Sequence, residues 1–138
     1  MSLFKAIDIA ATSLDAQSIR LNTISSNLAN ANAVSGSEDQ TYRARYPVFQ
    51  TMLDDATEAF GPSAGVHVTE IQLSQQAVRR EFAPAHPLAN DEGFIFRPAV
   101  NSVQEMANMM EASRAYQDSI EAMNTAKQLI LRTLTLGR

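Results

Sequence analysis

The sequence predicts an α+β fold in which long N- and C-terminal helices pair as a coiled coil around a small inserted β-rich subdomain. Three observations predict it: a seven-residue apolar repeat at each end of the 138-residue chain, alternating apolar residues in the middle, and charge concentrated between the ends. The expected segments are 1–33, 34–100 and 101–138. The formal net charge is −4, and residues 34–97, with nine acids and five bases, carry all of it.

In the first segment Ile7, Leu14, Leu21 and Leu28 recur every seven residues. Ala10, Gln17, Ile24 and Ala31 follow at plus three, and the small residues Ala11, Ser18 and Ser25 fill the next position, which lets a second helix come close. This segment holds only four charges, so most of its circumference is expected to be covered. It is also rich in Ser and Asn, which compete for the backbone and weaken a helix standing alone. Asn22, Asn27 and Asn30 are candidates for side-chain amide contacts that fix register.

Residues 34–40 read as a polar linker. Thr41–Phe49 reads as a strand, with Pro47 placing it at an edge. Residues 54–65 read as loop or short helix. Val66, Val68, Ile71 and Leu73 read as a strand whose phase slips by one, as at a bulge. Val78, Arg80 and Phe82 suggest a third strand, and Phe94-Ile95-Phe96 a fourth, across a turn punctuated by Pro84, Pro87 and Gly93.

In the last segment Met109, Tyr116, Met123 and Ile130 lie seven apart, Ala112, Ser119 and Ala126 follow at plus three, and Met106, Ile120 and Leu134 supply the flank. Ser102 with Glu105 is expected to form a capping box, and Gly137 to end the helix. The run Leu129–Leu136 is apolar in every helical direction, more than one partner helix can cover. Sister copies or other subunits are the expected partners.

Composition excludes much chemistry. There is no cysteine, hence no disulfide, thiolate nucleophile or cysteine-based metal site. The acidic balance argues against nucleic acid as a partner. His67 and His86, with Asp91 and Glu92, could hold a metal, but no spacing enforces it. Asp54, Asp55 and Glu58 lack an orienting partner for acid–base work. Arg43, Arg45, Arg79 and Arg80 read as salt-bridging residues. No Gly-x-Ser-x-Gly elbow or glycine-rich phosphate loop occurs. The residues alone favour a binding or structural protein without cofactor, metal or small-molecule substrate; a self-contained coiled-coil adaptor is one such reading. No N-terminal stretch has the uninterrupted apolar centre of a secretory signal.

Three stretches resemble the flagellar rod and hook family. They are Ala16-Gln17 through Ser26-Asn27-Leu28-Ala29-Asn30-Ala31; Tyr42-Arg43-Ala44-Arg45 with Pro47-Val48-Phe49; and the run from Pro84 and His86-Pro87 through Glu105-Met106, Ala112-Ser113-Arg114-Ala115-Tyr116 and Thr133-Leu134-Thr135-Leu136-Gly137. The length and the His-Pro turn resemble the proximal-rod members. The resemblance implies a structural subunit of the basal-body rod, a drive shaft in the periplasm that polymerises through its terminal helices to carry torque. It implies type III export without signal-peptide cleavage, and sister rod subunits and the inner-membrane ring junction as partners. The expected assembly surface is then Ile7, Leu14, Gln17, Leu21, Asn22, Ile24, Asn27, Leu28 and Asn30 on the first helix, and Met106, Met109, Tyr116, Ile120, Met123, Ile130, Leu134 and Leu136 on the second.

Overall fold

A computed structural model describes residues 3–54 and 63–136. The chain runs α1 (Leu3–Asn30), β1 (Arg45–Asp54), β2 (Ser63–Leu73), β3 (Arg79–Phe82), β4 (Phe94–Arg97) and α2 (Ser102–Leu136). The helices have 28 and 35 residues, about 42 and 52 Å at 1.5 Å per residue. The α+β class is as the sequence predicts. The strands form two separate two-stranded sheets, β1–β2 and β3–β4. Gly137, and most of the segment 54–65, lie outside the described residues.

The chain divides into two compact units: Met1–Leu21, Pro47–Glu70 and Glu111–Arg138 in the first; Asn22–Tyr46 and Ile71–Met110 in the second. Both helices contribute to both units.

In the first unit α1 and α2 lie antiparallel. The Ser13 and Ser119 hydroxyls are 2.9 Å apart, and Arg20 donates to Glu111 Oε2 at 3.3 Å. Such close approach suits small residues, and Ala10, Ala16, Ala112 and Ala126 are the buried ones. Thr12 ties β2 to α1: its hydroxyl donates to Ile9 O at 2.9 Å and accepts from Val66 N at 3.3 Å. A Cβ at Gly65 would sit 3.2 Å from that hydroxyl oxygen, so the missing side chain lets the strand approach. Thr69 Oγ1 donates to Gln50 Oε1, joining β2 to β1.

The second unit is built on the β3–β4 hairpin, whose antiparallel register runs from Arg79↔Arg97 to Phe82↔Phe94. Phe82 and Phe94 pack edge to face at 5.1 Å, and the Arg80 guanidinium lies 3.6 Å over the Phe94 ring. The connecting turn needs Gly93, whose φ is +77°. Asn90 Oδ1 holds it by accepting from Glu92 N and Phe94 N, and His86 Nδ1 accepts from Leu88 N. Ser35 and Phe96 exchange both backbone hydrogen bonds at 2.9 Å, fastening the linker to the hairpin. Arg79 donates to Pro98 O and Val100 O, steering the chain toward α2. Ile95, Pro98, and a cluster of Ala31, Ala44 and Val100 with Tyr42 form the interior.

Two local expectations are corrected. The strand predicted from Thr41 begins at Arg45, because Thr41 is held in a turn: its amide bonds Glu38 O at 3.1 Å and its hydroxyl Ser37 O at 2.7 Å. The capping box does not form. Asn101 caps α2 instead, its Oδ1 accepting from Val103 N and Gln104 N at 3.0 and 3.3 Å. That puts Glu105 one position too far along to serve as the box's glutamate, and its carboxylate is buried elsewhere.

Candidate functional site

The expected assembly residues fall into three environments. In the first unit Ile7, Leu14, Gln17 and Leu21 on α1, and Tyr116, Met123 and Ile130 on α2, are half-buried. Ile120 and Leu134 are exposed, Leu134 at 66%. In the second unit Ile24 and Asn27 are buried, Leu28, Asn30 and Met109 half-buried, and Asn22 and Met106 exposed. The side chain of Leu136 lies outside the described residues.

The large heptad residues therefore do not form the closest layer between the helices. That layer belongs to the small residues. Hydroxyls that touch across the helix pair leave no room for leucine between the axes, so the large side chains splay to the flanks, where they are only partly covered. Beside the contact runs an apolar groove of about 460 Å³ lined by Ala6, Ile9, Ala10, Ser13, Asp118, Ser119 and Ala122. Gln17 Oε1 is buried and finds no hydrogen-bond donor among the described residues. Toward the C-terminal end of α2 Leu129, Leu131 and Leu134 are all exposed.

The second unit carries a polar joint that the sequence does not announce. Asn27 is 0% exposed. Its Nδ2 donates to Arg45 O at 2.9 Å and to Glu105 Oε2 at 3.2 Å. Its Oδ1 accepts from Arg45 N at 2.8 Å and from Tyr42 OH at 2.8 Å. Both amide hydrogens and both lone pairs are used within the subunit. Asn30 turns back to bond Ser26 O. Glu105 is 3% exposed, with Asn108 Nδ2 at 3.5 Å from its other oxygen. Desolvation, then the Glu105 carboxylate and Tyr42, push the Tyr46 phenol above its ordinary pKa. Missing from the residues expected at the interface were Glu105, Tyr42 and Arg45. Their signal in the sequence was membership of the family-like stretches Tyr42-Arg43-Ala44-Arg45 and Glu105-Met106.

The chemical candidates separate. His67 is exposed on β2, and His86 serves its own turn. Among the described residues no three His, Cys, Asp or Glu gather as a metal site needs. Asp55 and Glu58 lie outside the described residues, as does the Asp54 side chain. Arg43 pairs with Glu38, Arg80 with Glu92 and Arg97 with Glu81, all on exposed or half-buried ground. Among the described residues no helix is long and apolar enough to cross a membrane.

The helical ends match two family models. Residues 7–36 match the flagella basal body rod protein model, and residues 91–136 the C-terminal model of the flagellar basal body rod FlgEFG proteins. Over its full length the chain is 45% identical to the flagellar basal-body rod protein FlgC of Salmonella typhimurium and 43% identical to that of Escherichia coli O157:H7, covering each entirely. The FlgC of Aquifex aeolicus is 33% identical over 135 residues, 96% of either chain. These relatives are structural rod proteins, not enzymes. The match along the whole length, with both family models on the terminal segments, places this chain in the FlgC family of flagellar basal-body rod proteins.

Proposed function

We propose that this chain is a proximal-rod subunit that polymerises through α1 and α2, its helices pairing as a coiled coil and carrying torque from subunit to subunit. The observation that carries the reading is the bare apolar C-terminal end of α2. Leu129, Leu131 and Leu134 are exposed in the last turns of a helix that meets α1 at Ser119. Exposed leucines gathered on one helix mark a surface that another protein covers.

Subunits of the same kind, and other rod components at the inner-membrane ring junction, are the partners that fit. Delivery by the type III export apparatus into the periplasmic rod, without signal-peptide cleavage, agrees with a first helix rich in Ser and Asn that orders fully only when neighbours cover it.

Leu134→Asp tests the reading. An exposed substitution should move the unfolding free energy of the purified chain by no more than about 0.5 kcal/mol. Swarming and recovery of the subunit in purified basal bodies should both be lost. Normal motility with normal incorporation would refute the reading.

A further inference from the structure

The geometry points to Asn27 as a positioning residue: an internal clasp that fixes where α1, the first residue of β1 and α2 meet. Its amide presents one donor and one acceptor to the main chain of Arg45, with Nδ2 to Arg45 O at 2.9 Å and Oδ1 from Arg45 N at 2.8 Å. That is the pair of bonds a neighbouring strand would offer, supplied by a helix side chain. The residue so gripped is the one at which β1 begins. The remaining hydrogen of the same amide reaches Glu105 Oε2 at 3.2 Å, on the first turns of α2. The remaining lone pair takes Tyr42 OH at 2.8 Å, and Ser26 Oγ stands 3.0 Å from that same hydroxyl.

No other residue type completes this set. Aspartate would keep both acceptances and lose both donations, and leucine would lose all four. A slip of one residue in β1 would set the amide against a backbone whose N–H and C=O point elsewhere. A slip of α2 would strand a buried carboxylate. Asn27 thus couples three segments that are 18 and 78 residues apart in sequence. The element Ser26-Asn27 works inside the subunit, while the leucines of α2 work between subunits. The consequence for assembly rests on the reading above; the clasp itself does not.

The test is a cycle of three full-length variants: Asn27→Asp, Glu105→Gln and both together. The charged and titratable groups around position 27 are Glu105 from α2, Tyr42, and Arg45 and Tyr46 from the start of β1. Asn27→Asp sets a second carboxylate against Glu105 in a buried place. Its melting temperature should fall by roughly 10 °C at neutral pH, as a lost bond to a charged group and a buried like-charge pair imply. One carboxyl of the pair then has a folded pKa raised above its unfolded value. Its stabilising, protonated form is complete near pH 4 and is lost as pH rises through the raised value, so the deficit should open across that window. In the double variant the amide introduced on α2 donates to the carboxylate introduced on α1. The like charges are gone, so the loss and its pH dependence should both shrink, with a remainder from the bond to Arg45 O that aspartate cannot donate. Glu105→Gln alone should lose little, because its amide oxygen still accepts from Asn27.

Equal losses in Asn27→Asp and the double variant, or a pH-independent loss, would show simple packing damage and overturn the clasp. If Asn27→Asp alone does not accumulate, restoration of soluble yield by Glu105→Gln supports the clasp, and failure to restore it overturns it. Motility separates the two readings. Rescue of melting temperature without rescue of swarming keeps the clasp and overturns a role for Asn27 inside the subunit alone.

Discussion

The two compact units solve the same problem, holding α1 against α2, with opposite chemistry. In the second unit the contact is polar and complete: Asn27 and Glu105 are buried, and Asn27 uses every hydrogen-bonding position. In the first it is a seam of alanines with a pair of serine hydroxyls and one exposed ion pair. A satisfied polar set specifies one arrangement, because any other leaves buried donors and acceptors unpaired. An alanine seam is permissive. It removes little apolar area per residue, so it holds the helices weakly until something covers their outer sides. The lesson is a contrast in chemistry: one contact is satisfied within the subunit, and the other leaves large apolar side chains only partly covered.

Ile95→Ala should break the comparison most severely. Ile95 is 1% exposed and belongs to β4, so the truncation leaves a cavity no neighbouring subunit can fill. The expected cost is about 2–5 kcal/mol, a large share of a typical domain's total stability. Urea unfolding of the purified chain reads it directly, and rod incorporation should fall with it. A loss under about 1 kcal/mol would mean that the hairpin is not the part that holds the free chain together.

A milder change tests the other side. Ala112 is 0% exposed in the alanine seam. Ala112→Leu should push the helices apart, at about 1–3 kcal/mol where the seam is fully formed. On the reading offered above, that cost appears in the assembled rod. Swarming should be strongly reduced while the urea midpoint of the dilute chain scarcely moves. A midpoint that falls by the full amount would place a finished seam in the free subunit.

Much of the fold is legible in the sequence. Period seven marks both helices, and Ser102 is the correct first residue of α2. Alternation and Pro/Gly punctuation find the β3–β4 hairpin and its turn at Gly93. What fails is the ranking of residues within the repeat. Hydrophobic size points to Ile7, Leu21 and Leu28, whereas burial goes to Ala10, Ile24 and Ala31 three positions on. How near two helices come is set by the smallest residues between them, and one helix's sequence does not show which of its faces that is. Glu105 misleads for a related reason. A Ser-x-x-Glu spacing is a local signal, while the bond from Asn27 spans 78 residues and leaves no periodic trace. The joint becomes visible only once α1, β1 and α2 are in place together.

The finest test uses Tyr46, which reports the polar joint from its rim. Burial and the nearby Glu105 carboxylate raise its phenol pKa, although the residue is 44% exposed. In the unfolded chain a tyrosine ionises near pH 10. Between that value and the raised folded one, the unfolded state binds fewer protons, so stability must fall as pH climbs. Tyr46→Phe cannot ionise and should flatten that part of the alkaline slope in urea midpoints taken above pH 10. Because solvent screens a half-exposed phenol, the change should be small. Its direction is the point. Identical alkaline slopes in the two chains would mean that the Glu105 charge is not felt at Tyr46, and that the joint is less closed to water than its geometry says.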